Sequence, residues 1–199
     1  FLPVLYKEIV MQTQAVIDDS FNEEHRLLKM RGRPKVLMTH DYEQAIALYK
    51  KYKPYLLSVF SDMRYPKGGS EDEYAGHKLL KKIKNEVPDL PVLILSTEER
   101  NRDKVKKIPA VFINKTSPDL NDQIKAFFVS FLGFGSFIFR MPNGEEIARA
   151  SDLRTIEKLL TEIPDESIMF HAKNNDFSRW LMARSEIDFS LKLKSYKVN

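Results

Sequence analysis

Between residues 35 and 128 the apolar positions come in short unbroken runs, separated by stretches where they recur every three or four residues. Unbroken runs of four to six mark strands buried on both faces, and the longer period marks amphipathic helices. The runs at 35–40 (KVLMTH), 55–60 (YLLSVF), 91–95 (PVLIL) and 110–113 therefore predict four strands. Asp41 is placed to cap a helix carrying Ala45, Leu48 and Tyr49, and residues 74–84 set Ala75, Leu79, Leu80 and Ile83 at helical spacing. Residues 98–108 predict a basic helix. Pro118 opens an apolar helix through Phe127, Phe128 and Phe131, because its missing N–H needs no partner in a first turn. Strands alternating with helices imply parallel pairing through crossover connections. The fold class is α/β, with a doubly wound parallel sheet.

The flanks have a different pattern. Leu2, Leu5, Ile9, Val16 and Ile17 form the stripe of a long amphipathic helix, and Ser20 with Glu23 has capping-box spacing for a second helix through Leu27 and Leu28. Residues 136–141 and 145–150, joined by Pro142, Asn143 and Gly144, predict a β-hairpin. Ser151 then caps a helix with Leu153, Ile156, Leu159 and Leu160; Pro164 and Asp165 break it, and the rest through Leu193 is helical. The expected division is a sheet domain over 1–132 and a small α+β appendage over 133–199. Opening at Phe1, with neither Met nor a signal-peptide pattern, the chain reads as a piece of a longer protein.

Composition removes several function classes. No apolar run approaches the ~20 residues that span a bilayer, which excludes an integral helical membrane protein. The 199 residues contain no cysteine, so disulfides, thiol nucleophiles and Cys-ligated metals are excluded, in keeping with a reducing cytoplasm. None of the seven glycines falls in a dinucleotide or P-loop spacing. The formal charge of +4 is spread thinly. Lys81, Lys82 and Lys84, like Lys104, Lys106 and Lys107, read as solvated helix faces, which disfavours nucleic acid as a partner. A hydrolase is disfavoured by the absence of a GxSxG elbow or a Ser–His pairing.

An open parallel sheet binds ligands at the carboxyl ends of its strands. Three predicted strand ends present polar side chains there: Asp62, Ser96 and Lys115. A carboxylate, a hydroxyl and an ammonium suit acyl-phosphate chemistry. The carboxylate attacks phosphorus, while the lysine neutralises the phosphoryl oxygens and the serine donates a hydrogen bond. Taken singly, each has a plainer reading as a turn residue, a helix cap or a surface lysine. Their coincidence on three neighbouring strand ends outweighs those readings. Elsewhere, residues 68–73 (GGSEDE) lengthen the loop after Asp62 and read as a solvated loop, with approach of their acids to a metal as the less favoured reading. His171 reads as a packed histidine, and Trp180 with Phe127, Phe128 and Phe131 as core. His25, His40 and His77 lack metal-ligand spacing.

Residues 35–130 resemble the receiver domain of two-component response regulators. The matching features are Asp62 with Pro66 four residues on, Ser96 closing PVLILS, and Lys115 within FINKTSP, with Phe112 three positions before the lysine. The resemblance implies a flavodoxin-like sheet. It makes Asp62 the phosphoacceptor, Ser96 the phosphate-sensing hydroxyl, Lys115 the lysine that meets the phosphoryl group, and Phe112 the aromatic switch. It also implies Mg²⁺, held by Asp62 and an acidic pair that follows the first strand. Asp18 and Asp19 have about the right separation from Asp62, but the residues before them continue a helical stripe, so a helix-terminus pair is the favoured reading. The whole chain is also similar to the receiver-like region ahead of phosphoenolpyruvate synthase/pyruvate phosphate dikinase-type proteins, which would put the first strand and its acidic pair upstream of Phe1. The expected function is a regulatory phosphoacceptor domain, itself not an enzyme, although the full-length protein would be a phosphotransferase. Its partners would be a histidine kinase or other phosphoryl donor and a downstream catalytic domain, with a homodimer as a further assembly. The alternative is a pseudo-receiver interaction module that is not phosphorylated.

Overall fold

The computed structural model describes residues 1–196. The chain divides into two compact units, one holding Lys35–Ile124 with Phe1, the other holding Leu2–Pro34 and the chain from Lys125 onward. This division differs from a cut at 132/133, because the N-terminal segment groups with the C-terminal helices. Helix α1 (Leu2–Asp18) and helix α2 (Glu23–Arg31) form the N-terminal pair. Lys29 of α2 is buried and donates from Nζ to the Val16 and Asp19 carbonyls at 3.0 and 3.1 Å, satisfying acceptors that a helix end leaves open. His25 Nε2 lies 2.8 Å from Glu186, and a Cβ on Gly32 would fall 2.5 Å from that of Ser185. These close approaches bind segments distant in sequence. The cap of α2 is Asn22, which accepts from the His25 N–H; Ser20 instead donates to the Ile17 carbonyl.

Residues 35–40 form no strand, contrary to expectation. Leu37 and Met38 are about half exposed (48% and 50%). A strand requires a neighbour for its ladder hydrogen bonds, and none pairs with this segment among the described residues. Helix α3 (Tyr42–Tyr52) follows, capped by Asp41, whose carboxylate accepts from the Gln44 N–H at 2.8 Å.

Strand β1 (Val59–Asp62) leads into a small antiparallel hairpin of β2 (Tyr65–Lys67) and β3 (Ser70–Asp72), and then helix α4 (Ala75–Glu86). Strand β4 (Val92–Ser96), a short helix α5 (Arg102–Val105) and strand β5 (Val111–Asn114) complete a parallel sheet of order β1-β4-β5. The unit is therefore α/β. Central β4 is buried along its length, as expected for a strand paired on both sides. Its alternate residues Val92 and Ile94 join Leu79, Leu80 and Ile83 of α4 and Tyr49 of α3 in one core, while Leu93 and Leu95, on the opposite face, are also buried.

The basic helix expected over 98–108 is only a 3-10 turn, Glu99–Asn101, followed by the four residues of α5. Ser96 Oγ accepts from the Glu98 N–H and from Asn101 Nδ2, local bonds that compete with an α-helical start.

Helix α6 (Leu120–Ser130), opening two residues after Pro118, runs from one unit into the other. Hairpin β6 (Phe137–Arg140) and β7 (Glu146–Ala150) follows, then α7 (Leu153–Leu159), α8 (Asp165–Lys173), α9 (Asp176–Ala183) and α10 (Ile187–Ser195). Asp152, rather than Ser151, caps α7. Phe137, Phe139, Ile156, Trp180 and Leu181 form this unit's core. Phe127 and Phe128 are buried, but Phe131 is 46% exposed. Buried His171 accepts the Arg140 N–H at Nε2 (2.8 Å) and pairs through Nδ1 with Asp176 (2.7 Å), so both ring nitrogens serve the packing. No helix among the described residues is long and apolar enough to cross a membrane.

Ile83 is fully buried between α4 and the sheet, so Ile83→Ala leaves a void. Urea denaturation should show a loss of about 2–5 kcal/mol.

Candidate functional site

At its carboxyl ends the parallel ladder aligns Asp62 with Leu95 and Ser96 with Asn114, so the residues that leave β1, β4 and β5 open on one side. There Lys115 Nζ lies 2.7 Å from Asp62 Oδ1. The side chains are 29% and 50% exposed, so the pair is accessible and worth only about 0–1 kcal/mol. An ammonium held so weakly can turn to a new anion at little cost. Lys115 is fixed at its backbone instead, where its N–H donates to the Ser96 carbonyl at 2.9 Å.

Asp62, Ser96 and Lys115 line one cleft of about 160 Å³, together with Arg64, Glu73, Tyr74, Glu98, Arg100 and Asn101. That volume lies below the roughly 300–1,000 Å³ of pockets that hold drug-sized ligands. It has room for a phosphoryl-sized group with the bulk of a donor outside.

The structure brings together three of the sequence-predicted residues and separates the others. Ser96 is in the cleft, but its Oγ already accepts two hydrogen bonds. Phe112 is buried in the α3–α4 core with the Arg102 guanidinium 4.7 Å from its ring centre, and it does not line the cleft. Asp18 ends α1 and accepts from Gln14 Nε2, and both it and Asp19 belong to the other compact unit.

Sequence reasoning weighed the acids of 68–73 near Asp62 but missed the arginines that pair with the rim. Arg64 Nη2 lies 3.4 Å from Glu73 and 3.7 Å from Glu98, and Arg100 donates to Glu98 at 2.7 Å. The Arg100 guanidinium holds the Glu98 carboxyl below its ordinary range. Tyr74 accepts from Lys104 Nζ at 2.5 Å. Residues 68–73 are more ordered than a solvated loop: Gly68 and Gly69 have φ of +64° and +80° and turn β2 into β3. Consecutive glycines are a recognised signal for such a two-residue hairpin turn and were legible as one.

Gly76 positions the phosphoacceptor candidate in a way no motif announces. A Cβ there would stand 1.9 Å from the Asp62 carbonyl oxygen and 2.9 Å from Ser61 Oγ, and the Gly76 N–H donates to the Met63 carbonyl at 3.1 Å. Helix α4 therefore packs directly against the end of β1. Ser61 Oγ also lies 3.0 Å from the Asp62 carbonyl and 3.2 Å from the Tyr65 hydroxyl. Burial pushes the Tyr65 phenol up to about 12, with the Ser61 hydrogen bond opposing the shift.

The implied magnesium was tested against these donors. Among the described residues no three His, Asp or Glu side chains are grouped to hold a metal ion. Besides Asp62, the carboxylates of the cleft are Glu73 and Glu98, both paired with arginines. The described residues thus do not make up the full donor set that the resemblance implies. No family model, curated protein or solved structure matches the chain.

Gly76→Ala should lower stability by about 1–3 kcal/mol in urea denaturation, because the new methyl meets backbone rather than a flexible side chain. Tyr65 gives a pH signature. Its folded phenol keeps a proton that the unfolded chain releases near 10, so stability falls as pH rises from about 10 to about 12. Burial also raises the Tyr49 phenol, so phenolate absorbance should show late titration from more than one tyrosine, and Tyr65→Phe should remove one late step and its share of the stability slope.

Proposed function

We propose that the Lys35–Ile124 unit is a regulatory phosphoacceptor module of the receiver type, with a flavodoxin-like sheet and Asp62 as the accepting residue. The observation that carries this reading is the 2.7 Å approach of Lys115 Nζ to Asp62 Oδ1 at the strand ends, in a cleft of phosphoryl size. The free Asp62 oxygen attacks phosphorus, the bond from phosphorus to the donor breaks, and the electron pair leaves with the donor. When the donor is a phosphohistidine, its imidazole nitrogen takes up a proton. Lys115 then moves its N–H from the carboxylate to the phosphoryl oxygens and offsets the charge that gathers there.

On this reading the donor is a histidine kinase or a small acyl phosphate, and the output is a catalytic region of the phosphoenolpyruvate synthase type in the same cytoplasmic protein. Magnesium belongs to the proposal as the ion whose one matched ligand here is Asp62. A second reading, an interaction module that is never phosphorylated, is favoured by the lack of a grouped acidic set among the described residues.

Incubation of the full-length protein with acetyl phosphate and Mg²⁺, followed by mass measurement, separates the two. Phosphoacceptor chemistry yields one added phosphoryl group, absent in Asp62→Ala and formed roughly 10²–10³-fold more slowly in Lys115→Ala. No adduct, or one that survives Asp62→Ala, leaves the interaction module.

A further inference from the structure

The hairpin that follows Asp62 is too small to stand alone. Each arm has three residues, and an isolated two-stranded ribbon is marginal in water. It is held at four places, one of them Asp72 on β3, which pairs with Lys78 Nζ of α4 at 2.5 Å and accepts the Tyr74 N–H at 2.8 Å. At the tip, the Gly68 N–H donates to the Glu43 carboxylate of α3 at 3.1 Å, and Lys67 Nζ lies 5.1 Å from the Tyr42 ring centre. On β2, Tyr65 reaches Ser61 of the sheet. At the base, Arg64 precedes β2 and Glu73 follows β3, and their 3.4 Å ion pair closes the ribbon. The same guanidinium reaches Glu98, beyond the end of β4, at 3.7 Å.

Only the base depends on the cleft. Arg64 lines it two residues from Asp62, and its bonds to Glu73 and Glu98 join exposed side chains at long distances. Exposed pairs of that kind contribute about 0–1 kcal/mol each. A phosphoryl group on Asp62 would replace the single carboxylate charge with roughly 1.5–2 negative charges and three acceptor oxygens, which arginine can meet with bidentate, charge-assisted bonds. The other residues expected to sense that charge make their contacts outside the hairpin, although the Ser96 O–H stays able to donate. Ser96 Oγ is held by Glu98 and Asn101, and Phe112 is buried beside Arg102.

The geometry points to Arg64 as the reader of charge at Asp62: on phosphorylation it leaves Glu73 and Glu98 for the phosphoryl oxygens, and the base of the β2–β3 hairpin opens. This rests on the phosphoacceptor reading above and names the element that the modification controls. The loosened points are the two ends of the stretch, Arg64 and Glu73; its interior stays tethered to α3 through Gly68 and Glu43, to α4 through Asp72 and Lys78, and to the sheet through Tyr65 and Ser61.

The test couples two measurements on the full-length protein treated with acetyl phosphate and Mg²⁺. Intact mass establishes whether Asp62 carries the adduct, and hydrogen–deuterium exchange then follows the peptide covering 64–74. With the adduct present, the hairpin amides should exchange up to roughly fivefold faster than without it. In Arg64→Ala, and separately in a Glu73→Gln, Glu98→Gln double variant, the hairpin should exchange at the fast rate whether or not the adduct is present. An adduct that leaves 64–74 unchanged overturns the inference while the phosphoacceptor reading stands. An adduct that still accelerates 64–74 in Arg64→Ala overturns it as well. Absence of any adduct defeats the reading beneath it, and the inference with it.

Discussion

Asp62 ends β1 and Lys115 follows β5, strands that never touch, since β4 lies between them. What brings a carboxylate and an ammonium to 2.7 Å is the parallel ladder that runs from Asp62 through Leu95 and Ser96 to Asn114. Parallel pairing makes the strands end on the same side, and the register places Asp62 beside Leu95 and Ser96 beside Asn114. Gly76 adds the close fit of α4 under the Asp62 carbonyl. The cleft is thus a consequence of sheet geometry, with a rigid floor and side chains that project from strand ends.

The rim has the opposite character. Arg64, Glu73, Glu98, Arg100 and Lys115 are joined by ion pairs between exposed groups, each worth little and each able to re-form with a different anion. A stiff floor under a soft ring of charge suits a site that must answer to a change in charge without unfolding. The contrast is physical: apolar burial holds the strands, whereas only weak, solvent-screened pairs hold the rim.

The second unit treats its polar groups differently. Arg184 is buried, stacks on Trp180 with 3.4 Å to the ring centre, and donates to the Gly133 and Gly135 carbonyls at 2.6 and 3.0 Å. Trp180 Nε1 donates to the same Gly135 carbonyl at 3.0 Å. Among the described residues no buried side-chain nitrogen or oxygen lacks a partner. These groups are spent on holding the turn before β6 against α9, and nothing in their arrangement points to chemistry.

Periodicity alone located most of the helices, strands β4 and β5 and the β6–β7 hairpin, because burial on one or both faces leaves its period in the chain. The strand ends carrying Asp62, Ser96 and Lys115 were legible for the same reason. The strand expected over 55–60 meets β1 only at Val59 and Phe60, since Tyr55 belongs to a 3-10 turn. Local pattern failed where a neighbour decides the outcome. Residues 35–40 have the composition of a strand but no partner in the sheet, and 98–108 have helical spacing but yield to the bonds that Asn101 and Glu98 make to Ser96. Caps shifted by one or two residues, to Asn22 and Asp152, because several nearby polar side chains compete for the same N–H groups. The grouping of α1 and α2 with the C-terminal helices, the clearance at Gly76 and the Arg64 ion pairs left no mark in the sequence. Each depends on which distant atoms arrive beside it, and that is settled only when the whole chain packs.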